Sequence, residues 1–175
     1  MSGISVLTAQ EIIDILGLEP MPREGGYYVE TCRSDEMLGT EVLPARYTGP
    51  RRLHTAIYYL LTPDTFSTMH RVVSDEVFHF YLGDPVEMLH LFPDGSHAVL
   101  ILGSDMVSGQ RPQVLVPSGV WQGCRLIDGG EFALMGTTVA PGFEFADYEQ
   151  GDPDQLTHQY PKCKPLIAAL TSPWR

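Results

Sequence analysis

The sequence predicts an all-β protein whose strands form a single jelly-roll barrel. About eight or nine short strand-like runs follow one another with close turns between them, and 17 glycines and 14 prolines supply those turns. We expect one domain over residues 1–175, with the barrel core over about 26–148. An immunoglobulin-like sandwich is the alternative, but the length of the chain and the absence of a Cys–Trp–Cys pattern weaken it.

A short helix is predicted at about 8–17, before the first strand. Thr8 can cap this helix, Glu11 completes a capping box, and Gly17 ends it. Its apolar stripe indicates packing on the outside of a sheet or on a partner subunit, rather than a lid over a site. A second short helix is expected near 166–170, ended by Pro173.

The strands are predicted from apolar and aromatic runs that turns rich in glycine and proline separate. The predicted runs are 27–33, 55–61, 76–82, 86–92, 97–102, 113–116, 121–127 and 132–139. Pro93, Asp94 and Gly95 lie between two of these runs and favour a tight hairpin turn. The spacing of runs and turns therefore supports a closed or two-sheet β architecture.

Charge and hydropathy argue against two classes of partner. The net charge is −11, and the basic clusters are only the small pairs Arg51–Arg52 and Lys162/Lys164, so binding to nucleic acid is not expected. Membrane association is not expected either, because no apolar run approaches the roughly 20 residues of a spanning helix. The first residues lack the pattern of a signal peptide, and the three cysteines are far apart. We therefore expect a cytoplasmic protein with reduced thiols.

The segment 67–83, with the sequence STMHRVVSDEVFHFYLG, contains the best candidate for a functional site. Alternation along a strand places Glu76, Phe78 and Phe80 on one face and leaves His79 on the other. A carboxylate on an apolar face is costly to bury without a partner, and His70 is the nearest candidate. The combination of a carboxylate, an imidazole and an aromatic wall indicates a ligand site with His70 and Glu76 as its catalytic pair. The alternative is a buried structural hydrogen bond between the two side chains.

Two motifs resemble those of a known family. The run from His70 to Gly83 is similar to the first cupin motif, and the run from Pro117 to Gln122 is similar to the second. With the segments EGGYYVET, AIYYLL and TVAPGFEFADYE, they resemble the uncharacterised Cupin-5 subfamily over about 16–161. The resemblance implies a small jelly-roll that forms a homodimer and holds a ligand in the mouth of its barrel.

Departures from the cupin pattern bear on metal binding. A full cupin site offers three histidines and one glutamate, but Val72 and Gln122 stand here at two of the histidine positions. One imidazole, one carboxylate and one neutral amide make a poor transition-metal site, so neither a metal nor another cofactor is expected. If a metal does bind, the expected ligands are His70, Glu76 and Gln122.

Further residues are expected to contact the ligand because they lie in or beside these motifs. The expected substrate-binding residues are Glu24, Tyr28, Tyr58, Arg71, Phe78, Gln122 and Phe145. A plain turn before a strand explains Glu24 and its two glycines equally well, and packing of the last strand explains Phe145 equally well. His79, His90 and His97 are expected to have surface or interface roles.

The leading functional hypothesis is proton transfer next to a carbonyl, by a metal-independent epimerase or isomerase that acts on a carbohydrate-like small molecule. It rests on the His70–Glu76 pair and on similarity to metal-free cupins that epimerise nucleotide sugars with a His base and a Tyr acid. His70 is the expected base, and Tyr28 and Tyr58 are candidates for the acid. The scarcity of cations favours a smaller polyol or keto acid over a nucleotide sugar. The alternatives are a non-catalytic binding or storage module and a metal-dependent oxygenase or isomerase.

Overall fold

Two antiparallel β-sheets pack face to face in the computed structural model, which describes residues 7–171. The strands are β1 (Glu19–Pro20), β2 (Tyr27–Arg33), β3 (Met37–Leu38), β4 (Arg51–Arg52), β5 (Thr55–Leu61), β6 (Phe66–Val72), β7 (Asp75–Gly83), β8 (Val86–Leu91), β9 (His97–Leu102), β10 (Gln113–Val116), β11 (Trp121–Leu126), β12 (Ala133–Ala140) and β13 (Tyr148–Gln150). The helices are α1 (Ala9–Leu16), α2 (Pro153–Gln159) and α3 (Lys164–Ala169), with 3₁₀ turns at Phe145–Asp147 and Pro161–Cys163. One sheet has the order β1-β2-β5-β12-β7-β10 and the other β13-β6-β11-β8-β9, while β3 and β4 form a separate ribbon.

The strand pairing is that of a jelly-roll. β5 pairs with β12, β6 with β11, β7 with β10 and β8 with β9, and all four pairs are antiparallel. This is one long hairpin rolled up so that its strands mostly alternate between the two sheets. The predicted all-β jelly-roll is therefore confirmed, and each predicted strand is present with its ends shifted by at most one residue.

Two strands of the second sheet, β6 and β13, were not predicted from the sequence. In β6, with the sequence FSTMHRV, polar residues interrupt the apolar pattern. A bulge also breaks its alternation, since Ser67 lies opposite Cys124 while His70 lies opposite Gln122. β13 has only three residues, which is too short to show a pattern. Both strands are essential to the site described below.

The first helix covers the outer face of the first sheet. α1 has the predicted capping box between Thr8 and Glu11, and it ends at Gly17, which has a φ of 63°. Ile12 packs against Leu60 of β5 on the outside of the barrel. The predicted packing on a sheet is thus confirmed.

The C-terminal helices cover the outer face of the second sheet. Ile167 of α3 packs there with Met69 and Leu89. α3 lies close to the predicted C-terminal helix, whereas α2, with a single buried residue, was not predicted. Pro173, expected to end the last helix, lies outside the described residues. No helix within residues 7–171 has both the length and the apolar composition needed to cross a membrane.

The space between the sheets holds the main core. Its largest side chains include Tyr59, Phe78, Met88 and Met135, all fully or almost fully buried. Tyr59 and Met135 come from the first sheet and Met88 from the second, so the core ties the two sheets together. Next to this core the sheets leave the cavity that forms the candidate site.

Candidate functional site

A cavity of about 240 Å³ lies between the sheets, near the turn that joins β6 and β7. Its charged lining consists of Glu24, Glu30, Arg33, His70, Glu76 and Glu144. Its aromatic lining consists of Tyr28, Phe143 and Phe145. A concave, mostly apolar cavity with a few convergent polar groups is typical of a site for a small molecule.

His70 is almost completely buried and projects from β6 into the cavity. Its Nδ1 lies 2.8 Å from the carbonyl oxygen of Thr68. Because a carbonyl only accepts, Nδ1 of the neutral ring carries the hydrogen and Nε2 keeps a free lone pair. Nε2 lies 3.9 Å from Glu24 Oε2. A neutral His70 therefore has its basic nitrogen on the side of this carboxylate.

Glu24 enters the cavity from the turn between β1 and β2. Its Oε1 accepts a hydrogen bond of 2.9 Å from Ser67 Oγ, and its carbonyl accepts one of 2.8 Å from the Thr68 amide. Gly26 in the same turn has a φ of 72°, and a Cβ there would lie 2.8 Å from the Leu60 carbonyl oxygen. The turn therefore needs glycine both for its conformation and for its close approach to β5. The expected position of Glu24 agrees with the structure.

Glu76 is buried, and Gln122 Nε2 donates a hydrogen bond of 2.6 Å to its Oε2. The structure differs here from the expected direct pair of His70 and Glu76, because Gln122 lies opposite His70 on β11 and supplies this bond. Burial raises the pKa of Glu76, and the charge of Glu24 raises it further. His70 and hydrogen bonds from Gln122 and Thr137 oppose that rise. Glu76 therefore holds its proton more tightly than an ordinary glutamate.

Two buried polar atoms, Tyr148 Oη and Gln122 Oε1, find no hydrogen-bond partner among residues 7–171. The Tyr148 ring stacks on His70, with centroids 5.1 Å apart and 20° between the planes. Burial raises the pKa of Tyr148, and the charge of Glu24 adds to the rise, so the hydroxyl stays protonated at neutral pH. Both residues contact the lining, Gln122 through Glu76 and Tyr148 through His70. From the sequence, Tyr148 could close one end of the barrel together with Phe143 and Phe145, but it is not among the expected binding residues.

An ion-pair network lies at the mouth of the cavity. Arg33 donates to the Glu30 carboxylate over 2.8–3.1 Å and to Glu144 Oε1 over 3.0 Å. A bulge in β2 between Glu30 and Cys32 shifts the alternation, so that Glu30 and Arg33 both face the cavity. Strict alternation would place these two residues on opposite faces, and sequence reasoning missed the network for that reason.

Four of the expected binding residues do not line the cavity: Tyr58, Phe78, Arg71 and Gln122. Tyr58 projects from the outer face of β5, because its neighbour Tyr59 faces the core. There it makes an edge-to-face contact with Tyr81, with ring centroids 6.0 Å apart. Phe78 faces inward as predicted, but it lies in the main core and is 1% exposed. Tyr58 is therefore not a candidate for the acid.

Arg71 was also expected to contact the ligand, but it lies on the outer face of β6. Its neighbour His70 points inward, so alternation turns Arg71 outward. Its guanidinium pairs with Glu149 at 2.7 Å and lies 4.4 Å from the centroid of the Trp121 ring. Of the other expected residues, Glu24, Tyr28 and Phe145 line the cavity. Gln122 does not line the cavity, but it donates a hydrogen bond to Glu76, which does.

Comparison with known proteins places the chain in a family. Residues 10–151 match the family described as Cupin superfamily (DUF985), named Cupin-5. The chain belongs to the Cupin-5 family. This cupin is 33% identical over 147 residues to an uncharacterised protein of Saccharomyces cerevisiae, a match that covers 78% of this chain and 72% of that protein.

Two solved structures are similar over nearly the whole chain. A hypothetical protein of Leishmania major superposes with a TM-score of 0.85 at 30% identity, covering 95% of this cupin and 100% of that chain. A protein of Shewanella oneidensis superposes with a TM-score of 0.82 at 33% identity, covering 96% and 99% of the respective chains. The family and the fold expected from the sequence motifs are confirmed.

The residues of this cupin do not fit the metal set of three histidines and one glutamate. Val72, at one histidine position, lines the cavity with an apolar side chain. At the other, Gln122 directs its amide nitrogen, a donor, to Glu76. Within the part of the chain that the structure describes, no three His, Cys, Asp or Glu side chains converge as metal ligands. We therefore derive no chemistry through a metal.

His79, His90 and His97, which were expected to have surface or interface roles, occupy different environments. His97 is exposed, and His79 lies on the outer side of β7, 3.2 Å from Thr138 Oγ1. The expectation of a surface or interface role for His90 is wrong, because His90 is 2% exposed and faces the barrel interior. Alternation along β8 places it on the same face as Met88, whose sulfur lies 3.1 Å from its Nε2.

This burial predicts a pH dependence of stability. Burial lowers the pKa of His90 from 6.5 to about 4. The unfolded chain thus binds a proton at a higher pH than the folded one, so stability is lost as pH falls from 6.5 towards 4. The loss from this residue is about 3 kcal/mol. In urea titrations between pH 6.5 and 4, the free energy of unfolding of the His90→Gln variant is expected to fall by about 3 kcal/mol less than that of the wild type. His97→Gln, at an exposed position, is the control, and equal slopes for both variants would contradict the assignment.

Proposed function

We propose that this cupin binds a small carbohydrate-like metabolite in its barrel and catalyses proton transfer next to a carbonyl, as a metal-independent epimerase or isomerase. His70 is the base. The observation that carries the proposal is the hydrogen bond from His70 Nδ1 to the Thr68 carbonyl, which leaves Nε2 as the basic nitrogen in the cavity. The backbone carbonyl holds the ring in one tautomer, and the Glu24 carboxylate, 3.9 Å from Nε2, can stabilise the imidazolium that forms when Nε2 takes a proton.

Glu76 is the proposed acid. Burial favours the protonated form of this carboxyl by raising its pKa, and Glu76 lines the same cavity as His70. In the proposed step, His70 Nε2 takes the hydrogen from the carbon next to the carbonyl, and the electron pair moves to the carbonyl oxygen. Glu76 donates its proton to that oxygen and gives an enol. The enol then loses a hydroxyl proton to Glu76 as a proton returns to carbon. Delivery to the opposite face of the same carbon gives an epimer, and delivery to the former carbonyl carbon of a hydroxy-carbonyl compound gives an isomer.

The charges around the cavity disfavour a phosphorylated or other anionic substrate. Arg71 lies on the outer face, bound to Glu149. Arg33 already donates to two carboxylates, those of Glu30 and Glu144. The lining therefore offers no free guanidinium to a phosphate or carboxylate group. This favours the smaller polyol-like substrate of the sequence-based hypothesis over the keto acid and over a nucleotide sugar.

The proposal is tested by hydrogen exchange in D₂O. The protein is incubated with a panel of aldoses, ketoses and their amino derivatives, and ¹H NMR follows the signal of the hydrogen next to the carbonyl. We expect protein-dependent loss of that signal for at least one compound, because a base that removes this hydrogen returns deuterium from solvent. Binding without exchange across the panel would instead support the alternative, a non-catalytic binding or storage module.

Assembly and location stay predictions. We expect a homodimer, with the part of the first sheet's outer face that α1 leaves exposed at the interface, where Tyr81 is 51% exposed and its ring contacts that of Tyr58. A cytoplasmic location is likewise expected. Light scattering of the purified protein measures the oligomeric state, and a monomer at micromolar concentration would contradict the expected dimer.

A further inference from the structure

The deep end of the cavity has more negative charge than its own residues neutralise. Glu24 faces it as a carboxylate, Glu76 faces it as the proton-bearing acid of the proposed function, and among the described lining residues His70 is the one group there that can carry a positive charge. The single arginine of the lining, Arg33, belongs to the mouth, where Glu30 and Glu144 already share it. The cavity is thus complementary to a positively charged ligand.

We propose that the ligand of this cavity carries an ammonium group and that the substrate class is an amino sugar or a similar amino polyol. This rests on the proposed function, because a His70 that acts as a base is neutral and leaves Glu24 without a counter-charge. The ammonium group would lie beside Glu24, at the end of the cavity opposite Arg33.

The negative potential of Glu24 reaches the surrounding buried groups. Its charge raises the pKa of Glu76, Tyr59, Cys124 and Tyr148, in each case after burial as the first cause. The four groups come from both sheets, and Glu76 lines the cavity itself. A cation placed there therefore meets a field that no described arginine or lysine of the lining compensates.

The hydrogen-bonding groups of the deep end are mostly acceptors. The Glu24 carboxylate and the lone pair on His70 Nε2 are acceptors. An ammonium group has three donors and no acceptor, so it matches this set better than a hydroxyl does. Tyr28 and Phe143 also line the cavity, and aromatic rings attract a cation more than a neutral group.

Matched sugars test the proposal. Isothermal titration with glucosamine, galactosamine and mannosamine is compared with glucose, galactose and mannose, and with the 6-phosphates of the three neutral sugars. At least one amino sugar is expected to bind about tenfold or more tightly than its hydroxyl counterpart, since its hydrogen bonds to carboxylates are charge-assisted. The phosphates are expected to bind more weakly than the neutral sugars. Equal affinity of amino and hydroxyl forms, tighter binding of phosphates, or no binding of any amino sugar overturns the proposal.

Three variants test where in the cavity the ammonium group binds. Glu24→Gln keeps an acceptor for Ser67 Oγ but removes the charge, so it is expected to reduce the preference for the amino form to threefold or less. Glu144→Gln, at the half-exposed mouth, is expected to reduce it less and does not put folding at risk. Glu149→Gln removes a carboxylate on the outer face and is expected to leave the preference unchanged. An unchanged preference in Glu24→Gln overturns the assigned position of the ammonium group.

The two proposals fail in different ways. An amino sugar that binds tightly but exchanges no hydrogen in D₂O leaves the ammonium preference intact and contradicts the proton-transfer function. A neutral sugar that exchanges hydrogen at the same rate as its amino form supports the proton-transfer function and contradicts the ammonium preference.

Discussion

Replacement of His70 by Gln is expected to lower the rate of substrate hydrogen exchange by about 10²- to 10⁴-fold, the usual contribution of a general base. The glutamine side chain can still donate a hydrogen bond, so the contact with the Thr68 carbonyl can persist. It has no nitrogen basic enough to accept the proton. The measurement is the initial rate of deuterium incorporation by ¹H NMR, with whichever compound of the panel the wild-type protein exchanges.

The control for this variant is His97→Gln, which makes the same change at an exposed position. We expect it to exchange at the wild-type rate. Thermal unfolding of both variants shows whether the barrel has kept its fold. A folded His70→Gln protein with an undiminished rate would remove His70 from the role of base.

Replacement of Asp147 by Ala is expected to lower the free energy of unfolding by about 3–5 kcal/mol. Asp147 forms a two-bond pair with Arg51, with distances of 2.7 and 2.5 Å, and both side chains are 5% exposed. The alanine variant leaves the guanidinium buried without a carboxylate, with the carbonyls of Gly49 and Pro50 and the Tyr47 ring, 5.4 Å away, as its remaining partners. An uncompensated buried charge is among the largest single-residue penalties. Urea denaturation measures the change.

The matched control is Glu149→Ala, two residues along the chain. Glu149 also pairs with an arginine, Arg71, but both side chains are 40–56% exposed. Solvent screens such a pair, so we expect a loss of at most about 1 kcal/mol. A similar loss for the two variants would show that burial does not set the value of the Arg51–Asp147 pair. Because Asp147 directly precedes Tyr148, its loss is also expected to loosen the stacking of Tyr148 on His70.

The fold could be predicted because its determinants are local features that can be recognised in the sequence. Capping residues such as Thr8 and Gly17 act over one turn, and apolar runs such as 55–61 are continuous in the chain, so both are readable without the structure. The motif residues His70 and Glu76 line one cavity as expected. Alternation also put Glu76 and Phe78 on the inner side of β7 and left His79 outside.

The rest of the site depends on features that a sequence does not display. Bulges in β2 and β6 change which residues face inward. The bulge in β2 brings Arg33 into the cavity lining, and the bulge in β6 interrupts the alternation by which a strand is recognised in a sequence. The partners of Glu76 and His70 come from distant parts of the chain, Gln122 and Glu24. Arg71 was assigned to the ligand by its closeness to His70 in sequence, but neighbours on a strand face opposite ways.

The most direct test of the central claim is the tautomer of His70, read from ¹⁵N–¹H correlations of the imidazole rings at a pH where they are neutral. The His70→Gln variant assigns the signals. The structure predicts a protonated Nδ1 and an unprotonated Nε2, because the Thr68 carbonyl can only accept a hydrogen bond. A ring protonated at Nε2 would mean that His70 has no free lone pair towards Glu24, and it would contradict its role as the base of this cavity.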